Sequence, residues 1–311
     1  MNVKGKKIFV GLSGGVDSAV SAALLQSAGA DVTGVFIKGW YPPGMPCTWA
    51  ADRRDAMRVA AHLHIPFYTL DASAEYKKSV IDYMLAEYRA GRTPNPDVMC
   101  NKEVKFGAFY RYAKESGADA IATGHYQSGE KDQRYFLWAV PKEILKETIF
   151  PVGHMDKNHV RALAKKFNLP VAEKHDSQGV CFLGSISVEE FLKKELGTDN
   201  PAILYTLGQR VPLRGGPWYV VGKDIENKKI EVAKSRAQGA RDEILFTDAN
   251  WFGEPSSATR AQYRYRGVLV PGHIYDTSFV PDTPLSEVPA PGQSIVFYSS
   301  DELVGGGIIA V

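Results

Sequence analysis

The sequence predicts an α/β domain built on a parallel sheet with helices on both faces, followed by a small β module and a C-terminal β-barrel-like domain. In the first half of the chain, short apolar runs alternate with segments of helical periodicity, an order that builds parallel sheets. A Gly-Gly turn joins the first apolar run to the first helical segment. After Asp199-Asn200-Pro201 the pattern changes to short β-like runs separated by glycine and proline, which favours small β domains.

The elements of the first half follow in strand–helix order. Strands are predicted at 7–10, 32–37, 65–70 and 118–123, and helices at 19–25, 52–63, 74–88 and 106–114. Ligands of such sheets bind beyond the carboxyl ends of the strands. We therefore expect the loop after the first strand, the stretch 37–40 and the turn 124–126 to meet at one rim.

The second half divides at residue 201. A helical pattern covers 142–196 and includes a basic helix at 161–166. Beyond it, β runs are predicted at 218–221, 229–233, 244–247, 262–270, 294–298 and 307–311. The predicted domains are therefore 1–200, which includes a helical extension, a central β domain at 201–244 and the barrel-like domain at 245–311.

Composition narrows the class of protein. The chain has 311 residues, is 44% hydrophobic and carries a net charge of +2, so charge alone does not indicate a nucleic-acid partner. No apolar run approaches the roughly eighteen residues that span a bilayer, and no apolar signal core precedes the first strand. Three cysteines suit a reducing compartment better than a disulfide framework. We expect a cytoplasmic protein with no membrane partner.

The most informative motif is Ser13-Gly14-Gly15-Val16-Asp17-Ser18, between the first strand and the first helix. A Gly-Gly turn lets backbone N–H groups converge on an anion, and the helix N-terminus adds partial positive charge. A Walker loop is excluded because no Gly-Lys-Ser/Thr follows. A carboxylate beside a phosphate is useful when it binds a cation, so Asp17 is predicted to bind Mg²⁺.

This motif resembles the pyrophosphate (PP) loop of N-type ATP pyrophosphatases. Those enzymes cleave ATP between the α and β phosphates and adenylate a carbonyl or carboxyl oxygen. The resemblance implies ATP as a substrate and gives the predicted ATP-binding residues of the loop as Gly11, Leu12, Ser13, Gly14, Gly15, Val16, Asp17 and Ser18.

Two loops carry cysteines in polar, turn-rich surroundings. Cys100 ends the run Arg92-Thr93-Pro94-Asn95-Pro96-Asp97-Val98-Met99-Cys100, where two prolines restrict the backbone. Cys181 lies in the Gly-containing segment 176–182, whereas Cys47 is interpreted as a small hydrophobe. The absence of a Cys-x-x-Cys pair argues against zinc. An iron–sulfur cluster on the three cysteines, with Asp97 as a further ligand, stays open as an alternative.

The chain resembles the tRNA-specific 2-thiouridylase family, which replaces the 2-oxygen of the wobble uridine with sulfur. The motifs that carry the resemblance appear in the family's order along nearly the whole chain: 13–18, 91–106, 123–126, 131–133, 176–182, 205–210, 217–221, 264–266 and 291–294. The resemblance implies that the uracil oxygen is adenylated by ATP and then displaced by sulfur. It also implies that main-chain atoms near Ile37 and Gly124 hold the nucleotide.

The resemblance assigns the sulfur chemistry to two cysteines. Cys181 carries a persulfide and Cys100 is the nucleophile, and a transient Cys100–Cys181 disulfide is cleared by a reductant. The resemblance also implies that Asn95, Pro96 and Asp97 form the floor for the target base, and Asp97 is a candidate for proton transfer. A sulfur-relay protein or a cysteine desulfurase is the implied sulfur source.

The other implied partner is tRNA, bound at its anticodon loop with the wobble uridine splayed out. The implied tRNA-contacting residues are His125, Lys131, Asp132, Gln133, Arg264, Tyr265 and Gln293. The Arg264-Tyr265-Arg266 run also suits phosphate contact and base stacking.

The chain departs from the family pattern in two shortened stretches. These follow Tyr126, at 127–130, and Arg210, at 211–216, and both bear on tRNA binding. Three alternatives stay open at this stage: another adenylating ligase or amidotransferase with the same loop, a cluster-dependent tRNA thiolase, and a noncatalytic tRNA-binding protein.

Overall fold

The computed structural model describes residues 2–42, 49–175 and 186–310. The strands are β1 (Lys7–Gly11), β2 (Asp31–Lys38), β3 (Phe67–Asp71), β4 (Ala120–Ala122), β5 (Thr148–Ile149), β6 (Arg210–Val211), β7 (Trp218–Asp224), β8 (Lys229–Ala233), β9 (Ile244–Trp251), β10 (Arg260–Gln262), β11 (Val270–Tyr275), β12 (Ser278–Pro281), β13 (Ser294–Ser299) and β14 (Glu302–Ile309). The α-helices are α1 (Val16–Ser27), α2 (Trp49–His62), α3 (Ser73–Tyr76), α4 (Tyr83–Arg89), α5 (Pro96–Met99), α6 (Phe109–Glu115), α7 (Lys142–Lys146), α8 (Lys157–Lys166), α9 (Val188–Leu196) and α10 (Pro201–Leu204).

The first compact unit comprises the described parts of Met1–Ser79 and Met99–Ile186. Its sheet has the order β3-β2-β1-β4-β5, and each neighbouring pair is parallel. Val10 of β1 pairs with Gly34 of β2 and with Ala122 of β4. The four strands predicted from the sequence are all present. The two-residue strand β5 escaped prediction because so short a run has no recognisable periodicity.

Helices cover both faces of this sheet, as predicted. Alternate residues of a strand point to opposite faces, so Ile8 and Val10 enter one core cluster, together with buried residues of α1, α2 and α8. Phe9 enters the other cluster, with Phe106 and Phe109. The predicted fold class of this part of the chain is therefore confirmed.

Two of the predicted helices are interrupted by π-helical turns. The segment predicted at 74–88 is α3, a π-helical stretch at Lys77–Asp82 and then α4. The helix predicted at 106–114 begins inside a π-helical stretch at Cys100–Ala108, which α6 follows. Wider turns of this kind keep a helical hydrophobic pattern, so the sequence does not reveal them, and they are frequent at functional sites. Among the described residues, no helix has the length and apolar character needed to cross a membrane.

The second compact unit comprises Val80–Val98 and Ser187–Val311, of which the last residue lies outside the described ranges. It holds the antiparallel sheet β6-β7-β8 and a closed antiparallel barrel in the order β10-β11-β12-β9-β14-β13. Aromatic rings of Phe246, Phe279 and Phe297 fill the barrel core. The predicted small β module and barrel are thereby confirmed, whereas the boundaries 1–200, 201–244 and 245–311 stay a prediction.

One predicted strand was wrong. The run 262–270 is not a single strand but the end of β10, a turn and the start of β11. Arg266, in the middle of the run, has φ 59°. This left-handed conformation is incompatible with a continuous extended strand. β-branched or aromatic residues on both sides hid the turn from the sequence pattern.

Lys223 of β7 makes the stability of the second unit depend on pH. Its Nζ donates a hydrogen bond to the Gly91 carbonyl oxygen at 2.8 Å, and burial lowers the pKa of Lys223 to about 8. Between pH 8 and 10 the unfolded chain therefore binds more protons at this lysine than the folded chain does, so stability rises with pH. We expect Lys223→Met to remove about 1–3 kcal/mol of this rise, measured as the free energy of unfolding against pH.

The matched control for this prediction is Lys229→Met, on the exposed part of the neighbouring strand β8. This control should keep the wild-type slope between pH 8 and 10. Identical slopes in the wild type and the Lys223 variant would contradict the assignment of the pH dependence to Lys223.

Candidate active site

The phosphate loop lies where the strand order of the sheet reverses. The loop follows strand β1, which has β2 on one side and β4 on the other. Open α/β sheets bind their ligands in the crevice at such a reversal of strand order. Ser13 Oγ and Ser18 Oγ are 3.2 Å apart, and the Gly15 N–H donates to Ser13 Oγ at 3.3 Å. These contacts fold the loop around the N-terminus of α1, where backbone N–H groups and the helix dipole favour an anion.

Gly14 allows this loop to approach α2. It has φ +78°, and a Cβ there would overlap the Asp52 carbonyl oxygen and lie 3.0 Å from the Asp52 carbonyl carbon. The carboxylates of Asp52 and Asp55 accept hydrogen bonds from Lys174 Nζ at 2.8 and 2.7 Å. Burial alone would lower the pKa of Lys174, but these hydrogen bonds outweigh it and raise the pKa. The start of α2 is thus packed against the loop at Gly14, and Lys174 links its two carboxylates.

Asp17 is the charged group of the loop. Its Oδ1 accepts a hydrogen bond from Tyr126 Oη at 2.7 Å and another from Lys157 Nζ at 2.6 Å. Tyr126 follows the turn after β4, and Lys157 is the first residue of α8. Helix α8, the turn after β4 and the phosphate loop therefore converge on one carboxylate.

The Asp17 carboxylate fits the predicted Mg²⁺ site. Protein Mg²⁺ sites commonly use one or two carboxylates together with substrate phosphates rather than a complete protein cage. Within 2–42, 49–175 and 186–310, no group of three or more His, Cys, Asp or Glu side chains is arranged to hold a metal ion. Mg²⁺ binding at Asp17 stays a prediction.

The turn after β4 packs on the first turn of α1. A Cβ at Gly124 would lie 2.9 Å from both the Asp17 carbonyl carbon and the Ser18 nitrogen. The main chain of Gly124 therefore borders the phosphate loop, where the resemblance expects a nucleotide contact. Ile37, the other expected nucleotide contact, pairs with Leu70 of β3 and packs its side chain against the core. Both contacts with the nucleotide stay predictions.

His125, in the same turn, is a buried residue. It is 8% exposed, with Nδ1 2.9 Å from Thr123 Oγ1 and its ring against Phe106 and Phe150. Burial, aided by the charge of Lys105, lowers the pKa of His125 well below its ordinary value. The ring is therefore neutral at pH 7, and a tRNA contact at this position stays a prediction.

Cys100 is the predicted nucleophile and begins the π-helical stretch Cys100–Ala108. Its side chain is buried, with 4% of the residue's surface exposed. The adjacent Asn101 is also buried; its amide donates to the Phe136 carbonyl oxygen at 3.0 Å, and its Oδ1 has no partner among the described residues. Cys181 and Cys47 lie outside the described ranges, so the predicted disulfide and the alternative cluster stay predictions.

The predicted base floor, Asn95 to Asp97, follows a set of hydrogen bonds within the second unit. We call this set the clamp: Gln293 and Pro291 bind the backbone of Thr93 and Pro94. The amide of Gln293 donates to the carbonyl oxygens of Thr93 and Pro94 at 2.9 and 3.0 Å, and the Thr93 N–H donates to the Pro291 carbonyl oxygen at 2.8 Å. Asn95 Oδ1 accepts from the Val98 N–H at 3.4 Å, at the start of α5. The 291–294 motif therefore fixes the backbone that leads into the base floor.

A cavity of about 250 Å³ adjoins this clamp, and Thr93, Thr206, Tyr263, Arg264 and Gln293 are among its lining residues. Two of these, Arg264 and Gln293, were predicted to contact tRNA. Arg264 Nε is 3.1 Å from Glu287 Oε1, and its Nη2 donates to the Leu207 carbonyl oxygen at 3.1 Å. The next residue, Tyr265, has the Arg266 guanidinium 5.3 Å from its ring centre.

The predicted contact run at 131–133 supports Tyr126. Lys131 ends a 3₁₀ turn at Gly129–Lys131. Asp132 Oδ2 pairs with Arg134 Nη2 at 2.6 Å, and Gln133 Oε1 accepts from the Tyr126 N–H at 3.0 Å. Gln133 therefore orients the tyrosine that contacts Asp17, and the tRNA roles of Lys131, Asp132 and Gln133 stay predictions.

Sequence reasoning missed Lys157 and Lys174. Lys157 follows Asp156, whose side chain caps α8 by accepting from the His159 N–H at 2.8 Å. The basic helix predicted within the helical pattern covered 161–166, which is the later part of α8. An Asp followed by a helical run is a recognised N-cap signal, and it would have brought Lys157 into the helix. No local sequence pattern indicates that Lys157 pairs with Asp17 of the loop. Likewise, none indicates that Lys174 pairs with Asp52 and Asp55 of α2.

Comparison with known proteins agrees with this architecture. Residues 6–185 match the family described as tRNA methyl transferase HUP domain, and residues 241–309 match the aminomethyltransferase beta-barrel domain. The tRNA-specific 2-thiouridylase MnmA of Lacticaseibacillus paracasei is 39% identical over 354 residues, which cover 97% of this chain and 94% of that protein. The protein of the same name from Geobacillus thermodenitrificans is 40% identical with the same coverage. The one from Streptococcus mutans is 39% identical over 357 residues, 97% of this chain and 95% of that protein.

The five-stranded parallel sheet with a phosphate loop at its switch point defines a PP-loop enzyme fold of the kind that uses ATP. A closed six-stranded barrel follows it in the chain. With nearly full-length relatives at this level of identity, the chain belongs to the tRNA-specific 2-thiouridylase family.

Proposed function

We propose that this protein is a tRNA-uridine 2-sulfurtransferase that converts the wobble uridine to 2-thiouridine with consumption of ATP. The observation that carries the proposal is the PP loop at the β1–β4 crevice, in a chain whose relatives are named tRNA-specific 2-thiouridylase over nearly its full length. Because tRNA and ATP are its substrates, we expect it to act in the cytoplasm.

The first proposed step activates the base. A uracil oxygen is a poor leaving group, and transfer of AMP makes it a good one. The 2-oxygen attacks the α-phosphorus, the bond from that phosphorus to the bridging oxygen breaks, and pyrophosphate leaves. Backbone N–H groups at the N-terminus of α1 receive the phosphate charge. Asp17 would hold Mg²⁺, which would neutralise charge on the phosphates.

The second proposed step transfers sulfur. The terminal sulfur of a Cys181 persulfide attacks C2 of the activated base, and AMP leaves as the C2–O bond breaks. The Cys100 thiolate then attacks the Cys181 Sγ, so that the S–S bond to the transferred sulfur breaks and its electron pair stays on the 2-thiouridine. This forms a Cys100–Cys181 disulfide, which a two-electron thiol reductant returns to two thiols. A cysteine desulfurase or a sulfur-relay protein reloads Cys181.

The clamp under the base floor provides one test of the proposed tRNA site. Gly292 has φ +89°, and a Cβ there would lie 3.0 Å from the N, C and O atoms of Thr93. Gly292→Ala should displace Thr93 and Pro94, and with them the base floor. We expect the yield of 2-thiouridine to fall about 10-fold or more, with ATP affinity unchanged, as measured by nucleoside mass spectrometry and calorimetry.

Gly197→Ala is the matched control for the Gly292 variant. Gly197 has φ +60°, yet a Cβ there would meet no atom of the described chain within 4 Å. It therefore shares the backbone strain of the Gly292 variant without its collision. Equal thiolation yields from the two variants would contradict a role for the clamp.

The proposed function is tested directly with the wild-type protein. It is incubated with bulk tRNA, ATP, Mg²⁺, cysteine, a cysteine desulfurase and a thiol reductant, and the tRNA is digested for nucleoside mass spectrometry. We expect 2-thiouridine to form only with ATP, together with AMP and pyrophosphate. The proposal would be overturned if 2-thiouridine formed without ATP. It would also be overturned if no 2-thiouridine formed although the desulfurase released sulfide normally.

A further inference from the structure

The PP loop lacks a cation of its own. Its residues, Gly11 to Ser18, contain no lysine or arginine, and its single charged side chain is the carboxylate of Asp17. A helix N-terminus contributes only about half an elementary charge. The triphosphate of ATP carries several negative charges, and pyrophosphate gains more as it leaves. Positive charge is therefore required from outside the loop.

Lys157 lies where such a charge is needed. Its Nζ is 2.6 Å from Asp17 Oδ1, and its side chain is 16% exposed, against 63% for Lys165 on the same helix. Val160 and Ala164 of α8 share a core cluster with Val16 and Val20 of α1. The first turns of α1 and α8 are thus joined by buried packing as well as by the ion pair.

The position of Lys157 does not stabilise its own helix. Lysine at the first residue of α8 faces the positive end of the helix dipole, where anions are favoured and cations are not. The ion pair with Asp17 offsets this penalty. A cation held at an unfavourable helix position beside an anion-binding loop indicates a ligand contact rather than a contribution to helix stability.

We propose that Lys157 binds the β- and γ-phosphates of ATP and stabilises the departing pyrophosphate, an inference that rests on the proposed function. In the structure its ammonium pairs with the Asp17 carboxylate. The flexible four-carbon stem lets the ammonium turn toward the phosphates, while the hydrogen bond from Tyr126 Oη keeps the Asp17 carboxylate in place. Asp17 would then be available to Mg²⁺, and Lys157 performs the role that a loop lysine has in Walker-type sites.

The test compares ATP with AMP, because only ATP carries the phosphates that Lys157 is proposed to bind. Dissociation constants for both nucleotides are measured by calorimetry with Mg²⁺ for the wild type, Lys157→Met, Lys157→Arg and the control Lys165→Met. We expect Lys157→Met to weaken ATP binding about 10- to 100-fold and AMP binding less than about 3-fold. Lys157→Arg should recover part of the ATP affinity, and Lys165→Met should match the wild type.

Two outcomes would overturn this inference. ATP affinity in Lys157→Met within about 3-fold of the wild type would remove Lys157 from phosphate binding. Equal weakening of ATP and AMP, without recovery in Lys157→Arg, would assign it a purely structural role. Failure of the wild type to thiolate tRNA would instead overturn the proposed function, since the nucleotide comparison needs no tRNA.

Discussion

Cys100→Ala is expected to reduce the yield of 2-thiouridine at least about 100-fold while leaving tRNA-dependent release of pyrophosphate intact. The thiol is proposed to break the S–S bond of the persulfide, a step that follows adenylation and that alanine cannot perform. ATP is proposed to bind at the PP loop, so its affinity should not change. Nucleoside mass spectrometry measures the first quantity, and a coupled pyrophosphate assay in a single turnover measures the second.

Cys181→Ala should show the same separation of adenylation from thiolation, because it removes the carrier of the sulfur. Cys47→Ala is the control and should retain wild-type yield. Loss of thiolation in all three variants, together with iron and labile sulfide in an anaerobic preparation, would favour a cluster held by the three cysteines. Normal thiolation by Cys100→Ala would remove this residue from the chemistry.

The burial of Cys100 leads to a prediction about how its accessibility changes during turnover. The thiol is 4% exposed in the structure, and buried thiols react slowly with reagents in solution. If Cys100 acts on the Cys181 persulfide, its segment has to become accessible during turnover. Alkylation of Cys100, mapped by peptide mass spectrometry, should therefore be faster with tRNA and ATP present than in the empty protein.

The sheet and the phosphate loop were predictable because their signals are local. Strand β1 is a short apolar run, the Gly-Gly turn follows it directly, and the periodicity of α1 begins within the next few residues. The order of strands and helices then implies parallel pairing and a ligand site at the carboxyl ends. The π-helical stretch at Cys100 gave no such signal, since its hydrophobic spacing is close to that of an α-helix.

Contacts between distant residues were not predictable in the same way. Lys157 meets Asp17 across 140 positions and Gln293 meets Thr93 across 200, and a sequence pattern carries no information on which distant polar groups pair. The resemblance suggested tRNA contacts for His125 and Gln293. The structure adds that the His125 ring is enclosed by aromatic side chains and that the Gln293 amide holds the chain leading into the base floor.

Gly14→Ala is expected to weaken ATP binding about 100-fold and to abolish both adenylation and thiolation. The substitution imposes a side chain at φ +78°, which costs about 1–2 kcal/mol. The new Cβ also overlaps the Asp52 carbonyl group, 3.0 Å from its carbon. Asp52 lies in the first turn of α2 with its carboxylate bound to Lys174, so the loop has to move instead. A displacement of about 1 Å in groups that position a substrate costs about 10²-fold.

Gly5→Ala separates these two effects of the Gly14 substitution. Gly5 has φ +74°, and a Cβ there would contact no atom of the described chain within 4 Å. It therefore carries the same backbone strain without the overlap, and its ATP affinity should equal that of the wild type. Calorimetry with ATP and Mg²⁺ gives the comparison, and thermal unfolding reports how much stability each variant loses.

If Gly14→Ala binds ATP as tightly as Gly5→Ala does, the phosphates do not occupy this loop. Adenylation would then need another site, because the Cβ cannot be accommodated without moving the N–H groups that face the anion.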